Sequence, residues 1–492
     1  FQLLNKLGPK VLSEIDGMAS IVFNKKKTIY LFRDLFGQKP LYYFYDQSKL
    51  IACSELKVIV KLLTEKEKEI DVENINLFLT LSYLPGNKTI YKKISKVLPG
   101  ELIEFSKGKI TKKLIDKKSE YVNKEMVPIE KQFELAASDV AHSDVNSAML
   151  LSGGIDSSLS FYYLRKKIKG LGAYYLSVDD KDINDDNKIE DLEKFFDIKI
   201  NKIKFMKEDF VLTLKELAKK IDEPHGDIGT ITSYFLMKHT GKAEKVIYTG
   251  DGADELFCGY ETFKALSIPE YFKKILGNKY IEKIISSKNK NYMSLSFKFN
   301  QYVKGLKYNN IDRYFKWTSG NYENYYGEVI QNFKFSDAQN GSQLKSLRSF
   351  YMNYFLPEFI CSHTDKSSML NSKELRSIFL NKSFLSYSNT LDDKMLVNRF
   401  KTKIILKDHA KKIGLPKSVY AAKKIGFTLP ISKWLCENEK FLVDFVEGNS
   451  RIFNYVDRKI VRNIFSDFIV KGINNYREII NILSLGLYLD EN

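Results

Sequence analysis

The stretch AMLLSGGIDSSLS, residues 148–160, constrains the architecture more than any other part of the chain. A short apolar run ends at Leu151, two adjacent glycines follow, and a helical pattern begins directly behind them. Strand, glycine turn and helix form the unit from which parallel sheets with helical crossovers are built. Gly153 and Gly154 place backbone N–H groups where they can converge on an anion with no side chain in the way. The next helix adds the positive end of its dipole. Ser152, Ser157 and Ser158 offer hydroxyls, and Asp156 offers a carboxylate to a magnesium ion accompanying phosphates. The loop has no lysine, so it is not of the Walker type. A tight turn with a serine cap is the plainer reading, but five specified residues in one strand-to-helix context decide for phosphate binding.

A second constellation, YTGDGADELFCGY at 248–260, again follows a β-type run, Lys245 to Tyr248. Asp251, Asp254 and Glu255 stand within five positions among the small residues Gly250, Gly252 and Ala253. At the carboxyl edge of a parallel sheet, two such loops would face one crevice. Their carboxylates would then share magnesium and pyrophosphate.

The surrounding texture changes once. Residues 1–115 read as short strands and turns, with hairpins expected at GMASIVFNKKKTIYLFRD, PLYYFYDQSKLIACSE and LPGELIEFSKGKITKKL, and a helical piece near 72–82. Residues 116–126 are polar and read as a linker. From 127 to 492, strands alternate with helices up to about 262 and the pattern is mostly helical afterwards. A chain of 492 residues exceeds one compact core. No apolar run approaches the roughly 18 residues of a membrane span, and no signal-peptide plan opens the sequence. The four cysteines lie far apart, which argues against a zinc site or a disulfide framework and suits a reducing cytoplasm. The net charge of +17 comes from lysines dispersed among acids, without a basic block interleaved with aromatics. That distribution describes a solvated surface rather than a nucleic-acid groove.

Together the two glycine-acid stretches resemble the asparagine synthetase family, and the likeness stays in order over nearly the whole chain. RDLFGQKPLYY, ACSELK and LPGELIEF resemble stretches of that family's glutaminase domain. SDV at 143–145, DEPHGD at 222–227, TDKSSMLNSKELRSIFL and GLPKSVYAAKKIGFTLPISKWL resemble segments of its synthetase domain. The resemblance implies an α/β protein: a partial, β-rich Ntn-type glutaminase domain, then a PP-loop ATP-pyrophosphatase domain with a helical C-terminal part. It implies that a substrate carboxylate attacks the α-phosphate of ATP, and that ammonia then displaces AMP from the acyl-adenylate. Ser152, Gly153, Gly154, Asp156, Ser157 and Ser158 match the pyrophosphate loop, with Asp156 and Asp254 as Mg2+ ligands. Leu151, Val178, Thr249 and Gly250 match positions that hold the adenosine part. Asp251 falls where a glutamate is usual, and Lys424 falls on the family's catalytic lysine. Ser372, Glu374 and Arg376 are expected on the substrate side. The implied partners are small molecules, ATP with aspartate or another carboxylate and glutamine or ammonia, without nucleic acid or membrane. A homodimer is the candidate assembly, though no residue pattern marks an interface.

Several positions depart from the family pattern. Ile378 replaces a proline, Asn381 an aspartate, Ala422 an arginine and Lys407 another arginine. The altered SKELRSIFLN segment favours an alternative acceptor, such as a sugar uronic acid, or an intramolecular lactam. The overall length and the amide-forming motifs favour aspartate. Residue 1 is phenylalanine, so the chain has no glutaminase nucleophile of the N-terminal cysteine type. The sequence enters the family pattern partway through the glutaminase domain and reads as truncated, with roughly one small module expected upstream.

Overall fold

The computed structural model describes residues 2–46, 49–121, 127–178, 180, 186–266, 302–303, 305–306, 308, 310–318, 342–421 and 429–492. The N-terminal part contains two antiparallel sheets. One has the order β1 (Ser20–Lys25), β2 (Thr28–Arg33), β6 (Glu101–Ser106) and β7 (Lys109–Leu114); the other has β4 (Leu50–Cys53), β3 (Tyr42–Tyr45) and β5 (Ile94–Lys96). All three expected hairpins are present, as β1–β2, β3–β4 and β6–β7. Two of them turn on consecutive residues with positive φ, Lys26–Lys27 and Lys107–Gly108. That geometry matches the twist of the paired strands. The helix Val72–Leu81 starts where Asp71 accepts hydrogen bonds from the Glu73 and Asn74 N–H groups.

Beyond residue 127 the strands form a five-stranded sheet in the order β10 (Asn201–Phe205), β9 (Gly172–Val178), β8 (Asn146–Leu150), β11 (Glu244–Thr249) and β12 (Glu374–Ser377). Every pairing in it is parallel. From β8 the chain first builds outward through β9 and β10, then returns to place β11 on the other side of β8. The order therefore reverses between β8 and β11, and ligands of open α/β sheets bind at such a reversal. The fifth strand departs from the helical reading of the later chain. Its four residues are too few to show alternation, and only pairing with β11 defines it.

A continuous apolar cluster runs from Leu35, Phe44 and Phe78 of the first part to Phe133, Tyr163 and Leu485 of the second. Beside it lies a buried ionic network between the two parts. Arg33 Nη1 is 2.8 Å from Glu358 Oε1, and Lys96 Nζ is 2.8 Å from Glu358 Oε2. Lys366 Nζ is 3.1 Å from Glu223 Oε2, which also accepts the Tyr42 hydroxyl at 2.7 Å. Arg33, Tyr42, Lys96, Glu358 and Lys366 of this network, with Gln38, line a small cavity. Burial alone would raise the Glu223 pKa, but Lys96, Lys366 and Tyr42 overcome it and hold the carboxyl down at about 2.

Because that value lies below the ordinary 4.5, the ionised Glu223 stabilises the fold above pH 4.5. The contribution is lost as pH falls toward about 2. Glu223→Gln should destabilise the protein by about 3 kcal/mol at pH 7, since it strands buried lysines. Urea unfolding at pH 7 and pH 3 should show the gap to the parent narrowing at the lower pH.

Candidate active site

The first loop begins where β8 ends. Gly153 has φ 72°, a left-handed conformation that glycine adopts without strain. The turn feeds the helix Ile155–Leu164. Its serines are largely occupied in holding this shape. Ser157 Oγ and Ser158 Oγ donate to the Gly154 carbonyl at 3.1 and 2.8 Å, and the Ser152 N–H donates to Ser157 Oγ at 3.3 Å. Ser158 is fully buried. Its hydroxyl thus builds the loop, which moves the burden of meeting an anion to backbone N–H groups and the helix N-terminus.

The second loop begins where β11 ends and lies directly against the first. A Cβ on Gly250 would stand 2.8 Å from Asp156 Cβ and 2.9 Å from the Ser157 nitrogen. Only a residue without a side chain allows that approach. Thr249 Oγ1 donates to Asp251 Oδ2 at 2.8 Å, and Ser377 Oγ at the end of β12 donates to the Asp251 carbonyl at 2.6 Å. Leu151, at the end of β8, and Val178, which closes β9, lie buried along the same carboxyl edge of the sheet.

Asp156 and Asp254 converge across the two loops on one cation. Lys403 Nζ is 2.5 Å from Asp156 Oδ2 and 2.6 Å from Asp254 Oδ1. Burial alone would lower the Lys403 pKa, but the paired carboxylates reverse this and the net direction is upward. Lys407, one turn further along the helix Ile404–Lys412, is held below the ordinary lysine range by burial and by Lys264 and Lys403. Asp251 is pushed upward mainly by desolvation, with Asp254 and Asp156 adding to it. His363 and the Thr249 hydroxyl oppose that shift. His363 in turn lies 3.5 Å from Asp227 Oδ2, and its Nδ1 is 2.8 Å from the Phe359 carbonyl.

Two carboxylates at one point fit a magnesium ion, which takes one or two protein carboxylates and completes its shell with phosphate oxygens and water. No group of three or more His, Cys, Asp or Glu side chains suited to an all-protein metal cage exists among the described residues. The turn from Ser152 to Ser158 and Thr249, Gly250, Asp251 and Asp254 are therefore brought to one place. Lys424, with Ala422, lies outside the described residues.

Ser372, Glu374 and Arg376, expected on the substrate side, are not among the residues that meet at this point. Ser372 is exposed in a turn, and the neighbouring Lys373 reaches the Glu244 carbonyl at the start of β11. Glu374 pairs in register with Val246, three residues before Thr249. Arg376 binds Glu374 and donates to the Val140 and His142 carbonyls, where it closes the end of the helix Ile129–Val140. Ser377, level with Thr249, is the residue of that segment that reaches the site. Ser377, Lys403 and His363 carry no mark in the sequence, and Lys407 stands out there only as a lysine where the family has an arginine. Nothing local distinguishes them from other serines and lysines, or from a scattered histidine.

Gly250→Ala should destabilise the fold by about 1–3 kcal/mol, because backbone blocks the new methyl group, and should remove nucleotide binding. Thermal unfolding and an ATP-binding titration would check both. Asp251→Asn should act in the opposite sense on stability. An acid whose pKa is raised in the folded state destabilises that state as pH rises past its ordinary value of 3.8. The asparagine variant should accordingly melt higher than the parent at pH 7 while losing activity.

Comparison with known proteins adds a consistent context. Residues 129–490 match the Asparagine synthase family model, and residues 1–117 match the Glutamine amidotransferase domain model. The chain is 26% identical to the glutamine-hydrolyzing asparagine synthetase 1 of Bacillus subtilis (strain 168), over 96% of this chain and 77% of that protein. It is 23% identical to asparagine synthetase 3 of the same organism, over 84% of this chain and 68% of that protein. A rat asparagine synthetase is 25% identical over 53% of this chain and 49% of its own length.

Proposed function

The chain belongs to the asparagine synthase family, ATP-using carbon–nitrogen ligases of the glutamine-hydrolysing type, and from that premise we propose that it forms asparagine from aspartate through an acyl-adenylate. The observation that carries this reading is the meeting of the two strand-end loops, with Asp156 and Asp254 converging at the point where the sheet order reverses. Such a site is built for a polyphosphate and its counter-ion.

In this reading, ATP lies along the carboxyl edge of the sheet. Leu151, Val178, Thr249 and Gly250 flank the adenosine part, and the turn from Ser152 to Ser158 cradles the phosphates with its N–H groups. Asp156 and Asp254 would hold Mg2+, which when bound would supply positive charge against the phosphates. Lys403 and Lys407 supply positive charge on the facing side. Lys424 is assigned the developing charge on the transferred phosphoryl group by its place in the sequence match. Asp251, desolvated and facing His363, is suited to accept a proton from the incoming nitrogen when ammonia displaces AMP. His363 lies on the helix Ser362–Met369, which also lends Ser362, Asp365 and Lys366 to the cavity between the two parts. That position supports nitrogen delivery from the cavity side.

The substitutions that favour a different carboxylate have structural explanations. Ile378 is fully buried, and Asn381 caps the helix Lys382–Thr390 by accepting the Phe384 N–H at 2.8 Å. Aspartate is preferred on the overall length and the amide-forming motifs. The reading includes small-molecule partners, a homodimer and a cytoplasmic setting; the four free cysteines suit that compartment. No described helix is long and apolar enough to cross a membrane.

Supplied with ATP, magnesium, ammonium and aspartate, the chain should release AMP, pyrophosphate and asparagine in equal amounts, followed by mass spectrometry. Lys424→Ala should lower the rate by at least about a hundredfold. Pyrophosphate release that ignores aspartate but responds to a sugar uronic acid would replace this acceptor with the alternative one.

A further inference from the structure

Lys403 occupies the position that a divalent cation at Asp156 and Asp254 would need. Its side chain is only 4% exposed, and its ammonium touches both carboxylates. The surroundings are shaped to admit it. A Cβ on Gly259 would lie 2.2 Å from Lys403 Cε and 1.7 Å from Asp254 Oδ1, so the missing side chain at 259 leaves the slot in which the lysine stem and the carboxylate lie.

The local placement of Lys403 is unfavourable in two other respects. Its backbone is left-handed, with φ 51° and ψ 43°, and it caps the N-terminus of the helix Ile404–Lys412. A side chain with a Cβ is strained in that conformation, and a cation at a helix N-terminus faces the positive end of the dipole. The two carboxylates provide the compensating attraction. They also need Lys403, because without a cation between them two partly buried acids would repel each other across the loop contact.

We infer that Lys403 is an internal counter-ion that keeps the Asp156–Asp254 pair closed to divalent metal until nucleotide binds, so that metal enters with the phosphates rather than ahead of them. The inference rests on the reading of these two acids as the metal carboxylates. In the nucleotide-free chain, a metal ion must displace a buried ammonium whose anionic partners among the described residues are these two carboxylates. Once a triphosphate lies on the Ser152–Ser158 loop, its oxygens offer that ammonium a new partner. The carboxylates are then released to the metal. Lys407, one turn along the same helix and close to Lys403 and Asp156, makes this face receptive to the phosphates. The device spares the empty site from trapping a metal ion in a geometry that excludes nucleotide.

The test is a titration of the full chain with Mn2+, read by water-proton relaxation and electron paramagnetic resonance, without nucleotide and with an ATP analogue that cannot be cleaved between its α- and β-phosphates. The parent, Lys403→Met and Lys403→Gln would be compared, each with and without Asp156→Asn. Without nucleotide, the parent should bind Mn2+ at least about tenfold more weakly than Lys403→Met. With the analogue present, the parent should bind Mn2+ tightly and Asp156→Asn should abolish that binding. Tight nucleotide-free binding by the parent, lost in Asp156→Asn, would overturn the inference and leave the metal assignment standing. Mn2+ binding indifferent to Asp156→Asn under every condition would overturn the metal assignment and the inference with it. The parent measurement decides between these outcomes even if a Lys403 variant fails to fold.

Discussion

Everything chemically interesting in this protein depends on two loops from different strands touching through Gly250. The contact brings Asp156 and Ser157 of the first loop against the second with no side chain between them. It sets the spacing of Asp156 and Asp254, and it seats Thr249 and Asp251 beside the Ser152–Ser158 turn. A parallel sheet whose strand order reverses between β8 and β11 makes such an encounter available, because helices leave opposite faces of the sheet on either side of the reversal. Ser377, arriving on β12 from more than a hundred residues later in the chain, ties the second loop down through the Asp251 carbonyl.

The same geometry gathers negative charge that would not stay together unaided. Asp156, Asp251 and Asp254 lie close enough that the first and third raise the pKa of the second. Lys403 answers two of them directly, while His363 and the Thr249 hydroxyl temper the third. The site is thus a balanced arrangement of acids and bases before any ligand is considered. Asp251 is where this balance is least favourable to the fold, because desolvation and two neighbouring acids all oppose its charge.

A second ionic arrangement joins the antiparallel sheets to the parallel one. Arg33 and Lys96 from the first part meet Glu358, and Glu223 meets Tyr42 from the first part and Lys366 from the second. The DEPHGD stretch serves both sides. Asp222 accepts the Leu56 and Lys57 N–H groups and Glu223 enters the ionic network, whereas Asp227 faces His363 near the acidic loop. One short segment therefore has one end in the interface between the sheets and the other at the edge of the candidate site. Buried pairs of this kind favour a unique geometry over raw stability, which suits a contact that must hold two sheets in one orientation.

Local chemistry made much of this legible in the chain itself. The three hairpins, the strand–turn–helix at 148–160 and the acidic glycine loop at 248–260 follow from alternation, turn residues and small side chains, all of which act over a few neighbours. Tertiary structure decided the rest. Four residues, 374–377, become a strand only because β11 offers them an edge, and that pairing places Ser377 in the site while carrying Glu374 and Arg376 away from it. Ser157 and Ser158 stand out in the sequence as hydroxyls of the strand-to-helix turn, but those hydroxyls bind the Gly154 carbonyl, a use that only the folded turn defines. Lys403 is one lysine among many in the sequence. It becomes the partner of two aspartates because packing buries its ammonium in a slot beside Gly259, and burial makes a charge answer to whatever lies within a few ångströms, however distant in the chain.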